Sequence, residues 1–142
     1  MADVKFNMGS IEGGRHYFPA RVFYNHTDMG GVMYYANYLR IAEEARCAFF
    51  AMLRKGEPAP EGGDFVVRSA HAEYMKPAVF GDELTIETDL EEIGRAYLHI
   101  RQKIMRDAEL LAEVAIKAAY VEFGRIGRPQ RIPAFWLEKF KK

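Results

Sequence analysis

Between Tyr38 and Leu53 the apolar residues recur in steps of three and four: Tyr38, Ala42, Ala45, Phe49 and Met52, with Ile41 and Leu53 beside them. That is the stripe of a helix with one face against a core. Gly56, behind Arg54 and Lys55, is a suitable stop for it. Ahead of the helix, residues 17–24 read as a strand with Pro19 early, where a missing ladder donor is tolerated. A polar turn of Asn25, His26, Thr27 and Asp28 joins the two, followed by the pair Gly30 and Gly31.

From Phe65 the period changes to two. Val67, Ser69, His71, Glu73 and Met75 fall on one face, with Val66, Arg68, Ala70, Ala72 and Tyr74 on the other. Neither face is cleanly apolar, so the strand reading rests on β-branched content and on Pro77, which ends it. After a turn at residues 81–83, Leu84, Ile86 and Thr88 alternate in the next strand. A hairpin turn at residues 91–95 leads to a strand over residues 97–106, and Asp107 with Ala108 turns the chain into a long strand over residues 110–123. Residues 57–64 are a Pro/Gly loop and residues 124–133 a basic one. Trp136, Leu137 and Phe140 predict a short C-terminal helix within residues 133–142, and residues 1–14, without a period, read as a mobile leader.

The predicted order is one strand, one long helix, then four antiparallel strands in a meander: an α+β architecture in which a curved antiparallel sheet wraps a single helix. Such a sheet leaves long edges, which natural proteins cover or pair. Pairing edges between two copies gives a homodimer, so a homo-oligomer is expected.

The length of 142 residues predicts one domain, 1–142, able to bury a core without staples. Lys plus Arg and Asp plus Glu balance at 20 each, which gives no electrostatic footprint for nucleic acid. The single cysteine, Cys47, allows no intrachain disulfide and favours a reducing, cytoplasmic home. Beside the helix stripe it reads as a buried structural thiol rather than a nucleophile. No signal-peptide pattern opens the chain, and no apolar run approaches the ~18 residues of a membrane span.

An acid in a loop beside the start of a buried helix has two readings. Asp28 can close an Asx-turn or cap the helix. Alternatively, the open N–H groups of the first helical turn polarise a carbonyl while the carboxylate acts as nucleophile or general base. Asn37 reads as a structural cap, and Tyr38, on the stripe, as core. His26 lacks companions at metal-ligand spacing, so no metal is expected.

The run Tyr24-Asn25-His26-Thr27-Asp28-Met29-Gly30-Gly31-Val32-Met33-Tyr34-Tyr35-Ala36-Asn37-Tyr38-Leu39 resembles the active-site motif of hotdog-fold acyl-CoA thioesterases of the 4-hydroxybenzoyl-CoA thioesterase type. It is most similar to the YbgC-like, Tol-Pal-associated branch. The similarity continues through FVVR, EYMKPA, GDELTIET, ELLAE and GRPQRIP, covering about residues 17–133. It implies a hotdog subunit, assembled as a dimer or homotetramer, that hydrolyses an acyl-CoA thioester. Asp28 would be the catalytic acid, and the backbone N–H of Tyr35, where many relatives carry histidine, would polarise the carbonyl. Asn25 and His26 stand where relatives often carry Glu and Asp, which leaves Asp28 as the only carboxylate of the turn. Gly30, Gly31, Val32, Tyr34 and Lys76 are the substrate-binding candidates, with Arg95, Arg101, Arg125 and Arg128 as further cations for phosphate. Coenzyme A would be part of the substrate, with no separate cofactor. A hotdog hydratase or dehydratase, and a non-catalytic acyl-CoA or acyl-carrier-protein binding module, are the alternatives.

Overall fold

The computed structural model describes residues 1–141. The helical stripe forms α1, Ala36–Leu53, whose buried residues are Tyr38, Ile41, Ala42, Ala45, Ala48 and Phe49. Lys55 and Gly56 follow at positive φ, 50° and 81°, so glycine does end the helix region. Six strands surround this stripe: β1 Ser10–Glu12, β2 Arg15–Arg21, β3 Gly63–Tyr74, β4 Glu83–Ile93, β5 Tyr97–Arg106 and β6 Glu109–Glu122. All neighbours are antiparallel, in the order β1-β2-β4-β5-β6-β3. One main helix against one antiparallel sheet is the α+β hotdog arrangement that the sequence predicts.

The strand order corrects the predicted meander. Of the four strands after α1, only β4, β5 and β6 run as consecutive neighbours; β3 pairs with β6 at the far edge. The cause lies in side-chain chemistry. β4 and β5 alternate buried with less buried positions, presenting Leu84, Ile86, Leu98, Ile100 and Ile104 to the helix. β3 leaves Ser69, His71 and Glu73 exposed, which suits an edge. Its register shifts between Val67 and Ser69, a bulge at Arg68 that explains why neither of its faces reads as apolar in sequence.

The leader reading also needs correction: Ser10–Glu12 pairs with β2. Gly13 and Gly14, at φ 59° and 83°, make the two-residue hairpin between them. Three residues are too few to show a period. The C-terminal helix is α2, Ala134–Lys139, within the predicted span, and Lys142 lies outside the described residues. Trp136 and Phe140 of this segment are buried and meet Phe50 at 5.4 and 5.6 Å between ring centroids. Truncating such a buried aromatic typically costs about 3–5 kcal/mol. A polar tie crosses the core as well: Gln102 Nε2 donates to the Ala42 carbonyl at 2.8 Å, and Arg46 donates to Gln102 Oε1 at 2.9 Å. Among the described residues no helix is long and apolar enough to cross a membrane.

Candidate active site

The link from β2 to α1 is a short stretch held by backbone bonds at almost every step. Tyr24–His26 form a single 3₁₀ turn, and Thr27 bridges antiparallel to Met33. Inside that bridge the Asp28 N–H donates to the Val32 carbonyl at 2.9 Å and the Gly31 N–H to the Asp28 carbonyl at 3.1 Å. Closing the chain this tightly needs a residue in the left-handed region, and Gly31 supplies it at φ 79°. The turn is sewn to residues 77–80: Val32 bridges Val79, and the Met33 N–H donates to the Ala78 carbonyl at 2.7 Å. That second segment is anchored by Asp82, which takes the Val79 N–H at 2.8 Å and the Arg106 guanidinium at 2.7 Å.

Asp28 is exposed, with Oδ1 accepting the Gly30 N–H at 2.8 Å. It closes its own turn and caps nothing in α1. At the start of α1, Tyr35 has helical angles, φ −57° and ψ −31°, and no side chain caps the helix. Among the described residues the Tyr35 N–H meets no acceptor, so it is one of the open donors of a helix start.

Aromatic rings surround this end of the helix. Tyr34 and Tyr35 lie 4.9 Å apart by ring centroid, and Tyr74 at the end of β3 stands edge-on to Tyr35 at 6.3 Å and to Tyr38 at 5.1 Å. The Tyr74 hydroxyl donates to the Tyr35 carbonyl at 3.2 Å. Burial, then the neighbouring Tyr35 and Tyr38 hydroxyls, hold the Tyr74 hydroxyl above its ordinary pKa, so it remains a donor at neutral pH. Tyr38 is core, as its stripe position predicts, and its hydroxyl accepts the buried Ala78 N–H at 3.0 Å.

Of the sequence-derived candidates, Asp28, Gly30, Gly31 and Val32 therefore share one turn, and Tyr34 and Tyr35 follow directly at the helix start. Lys76 follows β3, but its ammonium is paired with Glu109 at 2.7 Å. Arg101 is likewise engaged, by Glu91 and Glu113. Asn37 is not a cap: its side chain donates, to the His26 carbonyl at 2.9 Å. His26 Nδ1 accepts the Phe23 N–H at 2.9 Å. Cys47 is exposed rather than buried, because the helix flank it occupies borders an open groove of about 650 Å³ between α1 and β3, lined also by Arg46, Phe50 and Val67. Its thiol is held above the ordinary value, by desolvation first and then by Glu43. Sequence reasoning missed Tyr74, whose strand shows no apolar face, and the 77–80 segment, whose only signal is a proline after a strand.

The family model described as the thioesterase-like superfamily matches residues 22–140. The chain is 33% identical over 119 residues to the acyl-CoA thioesterase YbgC of Haemophilus influenzae (82% of this chain, 87% of that one). It is 34% identical over 126 residues to the acyl-CoA thioesterase YbgC of Helicobacter pylori strain 26695 (86% and 94%). Its fold is similar to that of a 4-hydroxybenzoyl CoA thioesterase variant crystallised with 4-hydroxybenzoyl CoA, at a TM-score of 0.82 and 20% identity, covering 91% of this chain and 100% of that one.

Proposed function

This chain belongs to the thioesterase-like superfamily as a YbgC-like hotdog enzyme, and we propose that it hydrolyses the thioester of an acyl-CoA at the Asp28 turn. The observation that carries this reading is the pairing of an exposed carboxylate, oriented by the Gly30 N–H, with an unoccupied N–H at the start of α1 in one short link. The Tyr35 N–H polarises the thioester carbonyl. Asp28 then attacks the carbonyl carbon, or takes a proton from the water that does. As the tetrahedral intermediate collapses, the carbon–sulfur bond breaks and coenzyme A leaves as a thiolate, which needs little acid help. Where Asp28 attacks, collapse leaves a mixed anhydride whose hydrolysis by water frees both the acid and Asp28; where Asp28 acts as base, the attacking water itself becomes the hydroxyl of the acid. On either route water supplies, in the end, the proton of the thiol. A fixed amide donor facing a developing oxyanion is worth typically ~10²–10³-fold in rate.

Gly30, Gly31 and Val32 offer backbone on which substrate lies closely, and Tyr34 an aromatic wall. Lys76 reaches a CoA phosphate by exchanging Glu109 for it. No cofactor is invoked, and a cytoplasmic location fits a CoA thioester as substrate. The chain acts as one hotdog domain over residues 1–142. We also read it as a homo-oligomer. Among the described residues the twelve residues of β3 have a partner strand on one side only, and the groove beside α1, lined by half-buried Phe50, leaves apolar Val67 exposed; a second copy covers both.

Free-thiol release from a panel of short, long and aromatic acyl-CoAs tests the activity. Turnover on at least one member is expected. Binding without turnover across the panel would overturn hydrolysis in favour of a binding module.

A further inference from the structure

Asn37 sits in the first turn of α1 and adds a side-chain tie between two parts of the site that the backbone already joins. Its Nδ2–H donates to the His26 carbonyl at 2.9 Å, and the same carbonyl accepts the Tyr34 N–H at 2.9 Å. Its own backbone N–H donates to the Tyr34 carbonyl at 2.9 Å. That carbonyl and the Tyr35 N–H belong to one planar trans peptide unit and point in opposite directions. Holding the carbonyl therefore aims the N–H. Any residue but proline makes that backbone bond; what the Asn37 side chain adds is its grip on the His26 carbonyl, the acceptor that also fixes the Tyr34 N–H next to the Tyr35 peptide. At the other end, the His26 carbonyl lies two residues before Asp28, at the entrance to the turn that displays the carboxylate.

We propose that Asn37 is a positioning residue that holds the Asp28 turn and the Tyr35 amide in register with each other, an inference that rests on the roles given to those two residues above. The residue type follows from the chemistry. The acceptor is a carbonyl oxygen, so the side chain must donate, and it must be short enough to reach back from the first helical turn. Aspartate has the shape but, ionised, no donor, and its oxygen would face the His26 oxygen. Alanine has neither. Glutamine keeps the donor on a longer stem. A displacement of about 1 Å between reacting groups is enough to cost ~10²-fold in rate, while binding through the rest of the substrate is untouched.

The test compares the full chain with Asn37→Ala, Asn37→Asp and Asn37→Gln by steady-state thiol release, thermal melting and ¹⁵N amide spectra, with Asp28→Asn alongside. The expected result is a kcat lower by about 10²-fold in the Ala and Asp variants with KM within about threefold. The Gln variant should recover part of the loss, and the Tyr35 amide resonance should move in Asn37→Ala. A kcat within about twofold of wild type, with only the melting temperature lowered, would overturn the inference while a dead Asp28→Asn enzyme left the reading of the site standing. If the wild type hydrolyses nothing on the panel, the reading itself fails. The spectra then decide the inference alone: Tyr35 and Gly30 amides unmoved in Asn37→Ala would overturn it, and amides that move would support it.

Discussion

The Gly30 N–H donates to Asp28 Oδ1 at 2.8 Å, so the turn commits one of its own amides to the carboxylate it displays. This fixes the side chain by a contact that a neutral amide oxygen can also make. Charge and geometry at Asp28 are thus separable, which makes the conservative variant there informative.

Tyr35 is proposed to act through its backbone, and its conformation permits a direct check. Its φ of −57° lies close to the value proline imposes. Tyr35→Ala keeps the N–H and should retain kcat within about tenfold, whereas Tyr35→Pro removes the N–H and should lose ~10²–10³-fold. Equal losses in steady-state thiol release would assign the effect to the ring instead.

The two glycines of the turn differ in what they supply. Gly31 holds φ 79°, while Gly30 has no positive φ and a Cβ there would stand 3.4 Å from Asp28 Oδ1. Gly31→Ala should cost about 1–2 kcal/mol by chemical denaturation, and Gly30→Ala less than about 0.5 kcal/mol. Similar losses for both would contradict the turn geometry.

His16 is fully buried, stacked on Phe49 at 5.1 Å, with Nε2 donating to the Met8 carbonyl at 2.7 Å and Nδ1 without a partner among the described residues. Burial, the larger effect, holds its pKa below the ordinary value, against a smaller upward pull from Met8. The unfolded chain therefore takes up the proton first, near about pH 6.5. Stability should fall as pH drops from about 7 to 5, and His16→Phe should flatten that slope in denaturant titrations. An unchanged slope would mean the loss arises elsewhere.

Val67 is an exposed apolar residue on the edge strand β3 and lines the groove beside α1. A lysine there would put charge into the proposed contact between copies. Sedimentation velocity should show wild type as an oligomer and Val67→Lys shifted towards monomer at the same concentration. A monomeric wild type would remove the oligomer reading.

Much of this was legible in sequence because two periods are strong in it. The steps of three and four from Tyr38 to Phe49 mark a helix with one buried face, and alternation through β4 and β5 marks strands with one covered side. The Asp28 turn was legible through its motif, since glycines and an acid in that order leave few local structures. What was hidden depends on long-range pairing. The place of β3 beside β6 is a choice among edges that no local pattern encodes, and its bulge at Arg68 scrambles the faces further. β1 is too short to show a period. Cys47 lies near the helix stripe, but its exposure depends on whether anything covers that flank. Asn37 carries a cap-forming residue type, and only the fold reveals that it donates backwards to His26 instead.

The central claim, that the Asp28 charge does the chemistry, is tested most directly by kcat for acyl-CoA hydrolysis in Asp28→Asn, where the Oδ1 contact to Gly30 can persist and the charge cannot. The account predicts a loss of at least ~10²-fold with an unchanged melting temperature. An Asp28→Asn enzyme within about tenfold of wild-type turnover would contradict it.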